Sequence, residues 1–306
     1  MTGLLTLLGV GFLGALLLVA MLMMRRLRHP PRKTYAWAVA KGVPGDPGEL
    51  DPPRSFETWT LSTRGVSCEC WDIMGDDPNA PVIITTPGWG DSKIGVLPRL
   101  EALAPFASRV IAWDPPGHAD SPGRCPLGTR EHELVRAIMD ECLPPTHDAG
   151  VILMGWSLGG GVSICAAAGD ARVRAVIAEA PYRLPWTPAF RVMHNAGLPY
   201  RLNGPVAFAL LGLRLTGTPR WNGFDRAEHA ARLTCPLLVV HGVHDEVCPI
   251  DDGRAIARAA GHGLCIELND AMHNNIWTDD ENRTQATGAV RDFLLSVLHT
   301  VDESAG

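Results

Sequence analysis

Three hydrophobic patterns follow one another along the chain. From Thr2 to Met24 no side chain is charged. At about 1.5 Å per residue, residues 4–24 reach roughly 32 Å, enough to cross a hydrocarbon layer about 30 Å thick, which predicts a transmembrane helix. Residues 56–63 and 66–73 then alternate apolar and polar positions around Arg64-Gly65, as an antiparallel hairpin does. Beyond them lie short apolar runs without alternation, at 81–86, 109–113, 151–154, 173–178, 237–240 and 264–268, the pattern of strands covered on both faces. Helical patterns at 93–105, 129–142, 158–168, 254–260 and 284–299 fall between and after them. Strands alternating with helices predict an α/β fold: a mostly parallel, doubly wound sheet of about eight strands, led in by the antiparallel pair.

Two segments depart from this rhythm. Residues 25–55 open with Arg25, Arg26, Arg28, Arg32 and Lys33 and become rich in Pro and Gly, reading as a basic linker that tethers rather than packs. Because the basic residues follow the apolar helix and none precedes it, the positive-inside rule predicts a single-pass anchor with the N-terminus outside and the body in the cytoplasm. Ala38-Val39-Ala40 resembles a signal-peptidase site, so a secreted or periplasmic cleaved form is the alternative, although a signal peptide carries its charge before a shorter apolar region. Residues 181–233 place about fifty residues between two predicted strands, which predicts an insertion, a helical cap over the sheet edge. The expected organisation is an anchor at 1–24, a linker at 25–55, a body at 56–300 carrying the cap at 181–233, and a tail at 301–306.

Composition narrows the function. The 306 residues carry a net charge of −6 and are 46% hydrophobic and 20% charged, which indicates a folded domain and no nucleic-acid surface. The eight cysteines are scattered without a C-x-x-C pair, so neither a zinc ribbon nor any other metal site is expected; they read as small buried hydrophobes.

The chemistry-bearing stretch is Gly155-Trp156-Ser157-Leu158-Gly159, set between the run 151–154 and a helical pattern. A strand–turn–helix of this kind holds the serine in a strained conformation, with glycine on both sides because side chains there meet neighbouring backbone. The amide of Leu158 then sits at a helix N-terminus, where its N–H and the local dipole suit an oxyanion. A serine needs a base and a carboxylate to orient that base. His241-Gly242-Val243-His244-Asp245-Glu246-Val247-Cys248-Pro249 and Asn269-Asp270-Ala271-Met272-His273 both follow predicted strands, at the edge where an open parallel sheet places its crevice. Asp245 is the favoured acid over Glu246 and Glu179, and His273 the favoured base over His118, His241 and His244.

With these residues the chain resembles the α/β-hydrolase superfamily, its lipase, esterase and serine-aminopeptidase-like members, over about residues 56–300. The resemblance rests on the elbow, on the H-G-x-x-D-x-x-x-P run ending at Pro249, on the late histidine, and on Asp114-Pro115-Pro116-Gly117-His118-Ala119-Asp120-Ser121, where Ala119 stands for a glycine. It implies Ser157 as nucleophile, His273 as general base and acid, Asp245 as the orienting carboxylate, and no organic or metal cofactor. The first oxyanion donor would be the backbone N–H of Trp89 in Thr86-Pro87-Gly88-Trp89-Gly90, with proline where histidine is usual, alongside that of Leu158. Trp89, Trp156, Trp186, Phe190 and Phe208 are the candidate walls of an apolar substrate pocket. Three functions remain in view: a membrane-anchored serine hydrolase of small or lipid-like esters, an aminopeptidase-type enzyme using Asp225 or Glu228 to bind an α-amine, and a non-catalytic membrane-anchored scaffold.

Overall fold

The computed structural model describes residues 2–143 and 149–304. Its sheet begins with the antiparallel hairpin β1 (Phe56–Thr63) and β2 (Val66–Met74), whose second strand pairs antiparallel with β4 (Arg109–Trp113). The strands β3 (Val82–Thr86), β5 (Val151–Trp156), β6 (Val173–Glu179), β7 (Leu237–Gly242) and β8 (Gly263–Leu268) run parallel with β4 and each other, in the order β1-β2-β4-β3-β5-β6-β7-β8. Successive side chains point to opposite faces, so a strand covered on both faces carries no alternation. Val82 and Ile84 join one core with Ile111, Trp113, Val151 and Leu153. Ile83 joins the other with Val110, Ala112, Ile152 and Met154.

The first core is covered by α4 (Glu131–Cys142), α5 (Leu158–Ala167) and α9 (Ile250–Ala259), with the short α8 (Arg226–Ala230) against α5 and α9. The second is covered by α3 (Leu100–Leu103) and α10 (Asp280–Ser304). The helix expected at 93–105 forms only as α3 between 3₁₀ turns at Lys93–Arg99 and Ala104–Phe106, because Pro98 and Pro105 lack amide donors. At the C-terminus, α10 runs through the expected tail as far as Ser304; residues 305–306 lie outside the described residues.

The apolar N-terminal helix α1 spans Thr2–Arg28, and most of its side chains are exposed. Its last third is not free: Ala20, Met23 and Leu27 are buried in a cluster with Met193, Phe208 and Leu211 from the cap helices α6 (Trp186–Asn195) and α7 (Tyr200–Thr216). Nor is 29–55 a tether. It forms α2 (Tyr35–Lys41) and a 3₁₀ turn at Pro47–Glu49, buries Ala38, and packs Trp37 and Leu50 against the core. Arg32 donates to Ala119 O at 2.8 Å and Lys33 pairs with Asp91 at 3.0 Å. The Pro and Gly residues do mark turns, but the apolar side chains between them find a core to enter.

Candidate active site

Strand order reverses around β3, whose neighbours β4 and β5 are reached on opposite sides, and a crevice opens where the following loops diverge. The loop after β3 and the turn after β5 meet there: a Cβ on Gly88 would stand 3.3 Å from the Cβ of Ser157. Ser157 has φ 53° and ψ −116°, outside the comfortable regions for a side-chain-bearing residue. Steric crowding enforces this turn. A Cβ on Gly155 would lie 2.3 Å from Gly159 C, and one on Gly159 would lie 1.9 Å from Thr86 O. Ser157 precedes α5 without capping it through its side chain, which leaves the hydroxyl for other partners.

Those partners come from the two strands beyond. His273, in the loop after β8, brings Nε2 to 3.1 Å from Ser157 Oγ, and its Nδ1 lies 2.7 Å from Asp245 Oδ2, in the loop after β7. Asp245 Oδ1 accepts from the N–H groups of Val247 and Cys248 at 2.8 and 2.7 Å. Burial alone would raise this carboxyl; hydrogen bonds from His241, His273 and the Cys248 amide outweigh it and hold the group well below the usual carboxylate range. His241 Nε2 is nearer to Cys248 O, at 2.9 Å, than to Asp245 Oδ2, at 3.4 Å, so its proton is directed mainly to the carbonyl. A carboxyl whose folded pKa is depressed contributes stability above its unfolded pKa of about 4 and loses it as pH falls toward the folded value. Asp245→Asn should therefore unfold about 2 kcal/mol more easily than the parent at pH 7, and urea titrations at pH 7 and 3 should show that gap shrinking at the lower pH. An unchanged gap would assign the loss to packing instead.

The remaining candidates sort clearly. Glu246 and His244 are exposed, while His118 is buried and its pKa is lowered to about 4 by that burial. Glu179 does reach the cavity, but Arg99 grips both its oxygens at 2.7 and 3.0 Å and Trp277 Nε1 donates to it as well. The loop 114–121 is a brace: Asp114 binds Lys93 at 2.6 Å and Ser121 Oγ accepts from Glu69 N–H. Ala119 there has φ 34°, the left-handed region where glycine is usual.

Among the described residues, no backbone acceptor pairs with the N–H of Leu158, next to the serine in sequence, or with that of Trp89, in the loop whose Gly88 packs against Ser157. The indole of Trp89 is used elsewhere, donating to Leu27 O at 2.7 Å and so tying the end of α1 to this loop. Asp245, Cys248 and His273 bring donor atoms within 4.8 Å of one another. Burial pushes the Cys248 thiol well above its ordinary pKa. Cys248 Sγ lies 3.9 Å from Ser157 Oγ, a contact that the sequence does not signal.

Ser157 and His273 open into a cavity of about 770 Å³. Of the expected walls, Trp89, Trp156 and Phe208 line it. Trp186 and Phe190 do not; their rings pack behind Phe208, at 4.5 and 5.9 Å between centroids. Other cap residues, among them Pro185, Ala189 and Val192, line it instead, and residues outside the cap join them: Leu27 from α1, and Pro31, Trp37, Val43, Pro44 and Leu50 from the segment expected as a linker. The only signal for these in the sequence is the spacing of large apolar residues through a Pro- and Gly-rich stretch.

Comparison with solved structures gives the same fold at low identity. The esterase Pf2001 of Pyrococcus furiosus superposes with a TM-score of 0.64 at 18% identity, over 88% of this chain and 98% of its own. A membrane phospholipase A described as a bacterial virulence factor gives 0.59 at 16% identity, over 96% and 97%. The enol-lactonase of Burkholderia xenovorans LB400 gives 0.55 at 22% identity, over 76% and 99%. Comparison with curated proteins gives no match. The model of the alpha/beta hydrolase family matches residues 82–293, which carry the elbow, both downstream loops and the cap. On that match the chain belongs to the alpha/beta hydrolase family, and its body is that of a hydrolase.

Proposed function

We propose that the chain is a membrane-anchored serine hydrolase that cleaves carboxylic esters with lipid-like acyl groups through an acyl-enzyme. The observation that carries this reading is the unbroken relay Ser157 Oγ, His273 Nε2, His273 Nδ1, Asp245 Oδ2, at 3.1 and 2.7 Å, facing a largely apolar cavity. In the proposed cycle His273 takes the Ser157 proton as Oγ attacks the ester carbonyl, and the N–H groups of Trp89 and Leu158 hold the oxyanion. His273 then gives that proton to the leaving alcohol and, in the second half, activates water against the acyl-enzyme. Asp245 stays ionised and keeps the imidazole in the tautomer that presents a bare Nε2 to the hydroxyl.

The aminopeptidase reading has less support. Asp225 is held by Arg183 and caps α8, and neither it nor Glu228 lines the cavity. Of the carboxylates that do line it, Glu179 is paired with Arg99 and Asp91 with Lys33. A free α-amine finds no unpaired carboxylate among the described lining residues. The scaffold reading must treat the aligned relay as a remnant.

Anchoring rests on α1, whose apolar surface is exposed over most of its length, and on the basic residues at its end, which favour a cytoplasmic body. An activity reporter fused after residue 306 should be active only on the cytoplasmic side; activity only outside would reverse the orientation.

The test of the acyl preference is kcat/KM for a series of p-nitrophenyl esters. Each buried methylene contributes about 0.8 kcal/mol, so octanoyl should exceed acetyl by 10-fold or more. Equal or faster turnover of acetyl would remove the lipid-like part of the proposal and leave a hydrolase of small esters.

A further inference from the structure

The cap helix α7 lies alongside α1 in a fixed register. Asn203 Nδ2 donates to Leu16 O at 2.8 Å, and one turn and more beyond, Ala207, Phe208 and Leu211 share a buried cluster with Ala20, Met23 and Leu27. Farther along, Arg214 lies within electrostatic reach of Arg28. The two helices thus run in the same direction, with residue n of α7 level with residue n − 187 of α1. The first charges after the apolar run, Arg25 and Arg26, mark the headgroups, so the hydrocarbon edge lies about one turn before them, near Met21 or Leu22. Leu202 and Val206 are level with Ala15 and Val19, on the hydrocarbon side of that edge; Leu210 and Leu213 are level with the edge and the headgroups.

The outer face of α7 fits that depth. Leu202, Val206, Leu210 and Leu213 recur at helical spacing and are 59, 48, 37 and 51% exposed, continuing the exposed apolar surface of α1. If α7 stood wholly in water, hydrocarbon would have to end before Leu13, leaving the exposed apolar side chains of Leu13, Leu17, Leu18, Met21 and Leu22 on α1 in water as well. Asn203, the polar residue turned toward α1, has its amide satisfied by Leu16 O, as a group shut away from water requires. Arg201 is the charge in this stretch, held beside the Tyr200 hydroxyl, and a long cationic side chain at this depth reaches headgroups through a local thinning of the leaflet.

We infer that the first half of α7 is inserted about 10 Å into the bilayer leaflet facing the body, making the cap a second membrane-embedded element beside the anchor. The occupant of its exposed face is lipid acyl chain. Phe208, on the buried side of the same helix, lines the cavity, so one helix thickness separates leaflet from active site. The inference rests on reading α1 as a membrane anchor and is independent of the ester chemistry.

The test is photo-crosslinking of the full chain, in a Ser157→Ala background so that lipid is not consumed, in nanodiscs of phosphatidylethanolamine and phosphatidylglycerol. p-Benzoylphenylalanine replaces Val206 in one sample, Leu8 in a second and Met74, on the far hairpin, in a third. Intact mass should show phospholipid adducts at 206 and 8, at comparable yield, and at least 10-fold less at 74. An adduct at 8 but not at 206 would overturn the insertion while leaving the anchor intact. Adducts at neither would overturn the anchor and the insertion together. A mass of two chains at 206 would assign the face to a second copy instead.

Discussion

Alanine at position 157 is expected to lower kcat for ester hydrolysis by about 10⁴-fold or more, with little change in KM. The size of the loss follows from what the serine does: without its oxygen there is no acyl-enzyme, and only water held near the oxyanion donors remains to attack the ester. His273→Ala should fall to a similar level, and the double variant should be scarcely worse than either single one, because the two groups act as a unit. Folding should not suffer. Ser157 Oγ neither caps α5 nor bonds to backbone, so its removal leaves the elbow's own hydrogen bond, Ser157 N–H to Glu179 O at 2.8 Å, in place. Thermal unfolding of Ser157→Ala within a degree or two of the parent, combined with steady-state kinetics, separates a catalytic from a structural serine. A variant retaining more than a tenth of the parent kcat would rule Ser157 out as nucleophile.

Gly159→Ala should do the opposite and damage the fold first. The added Cβ would stand 1.9 Å from Thr86 O and 2.6 Å from Pro87 O, both backbone atoms at the end of a central strand, so neither can turn aside. Either α5 moves off the sheet or the loop carrying Trp89 moves away from Ser157. Forced overpacking of this kind costs about 3 kcal/mol, visible as a drop in the urea midpoint, and any folded fraction should turn over slowly because an oxyanion donor has shifted. Gly169→Ala is the control: it lies in open space, and its cost comes only from its φ of +77°. Equal losses at 159 and 169 would mean that the elbow is not sterically closed.

The two substitutions mark how far the sequence could be read. Strands with both faces covered announce themselves as unbroken apolar runs, and the strand–turn–helix of 151–167 needs glycines where nothing else fits, so the sheet and the serine turn were legible from spacing alone. Asp245 and His273 were legible as candidates because each follows a strand at the same edge; that they meet Ser157 within hydrogen-bond distance depends on sheet order, which no local pattern encodes. Trp186 and Phe190 show where the reading stops: an apolar residue in a cap is equally suited to lining a cavity or backing its wall, and only the packing of Phe208 between them decides. The segment 29–55 failed for a related reason. Its proline and glycine content describes the backbone, whereas Trp37, Val43 and Leu50 act through contacts with loops far away in sequence. The offset of α7 against α1 is likewise tertiary, fixed by one amide and a few apolar contacts.

Because α1 and residues 29–55 help to build the cavity, the decisive experiment uses the full chain in detergent rather than a truncated body. The measurement is intact-mass analysis after treatment with a fluorophosphonate, with Ser157→Ala and His273→Ala alongside. One adduct per chain is expected for the parent, none for Ser157→Ala, and none within the same interval for His273→Ala. A parent chain that unfolds cooperatively yet takes up no label, or a Ser157→Ala chain that still takes up one, would contradict the assignment of an activated serine at this site.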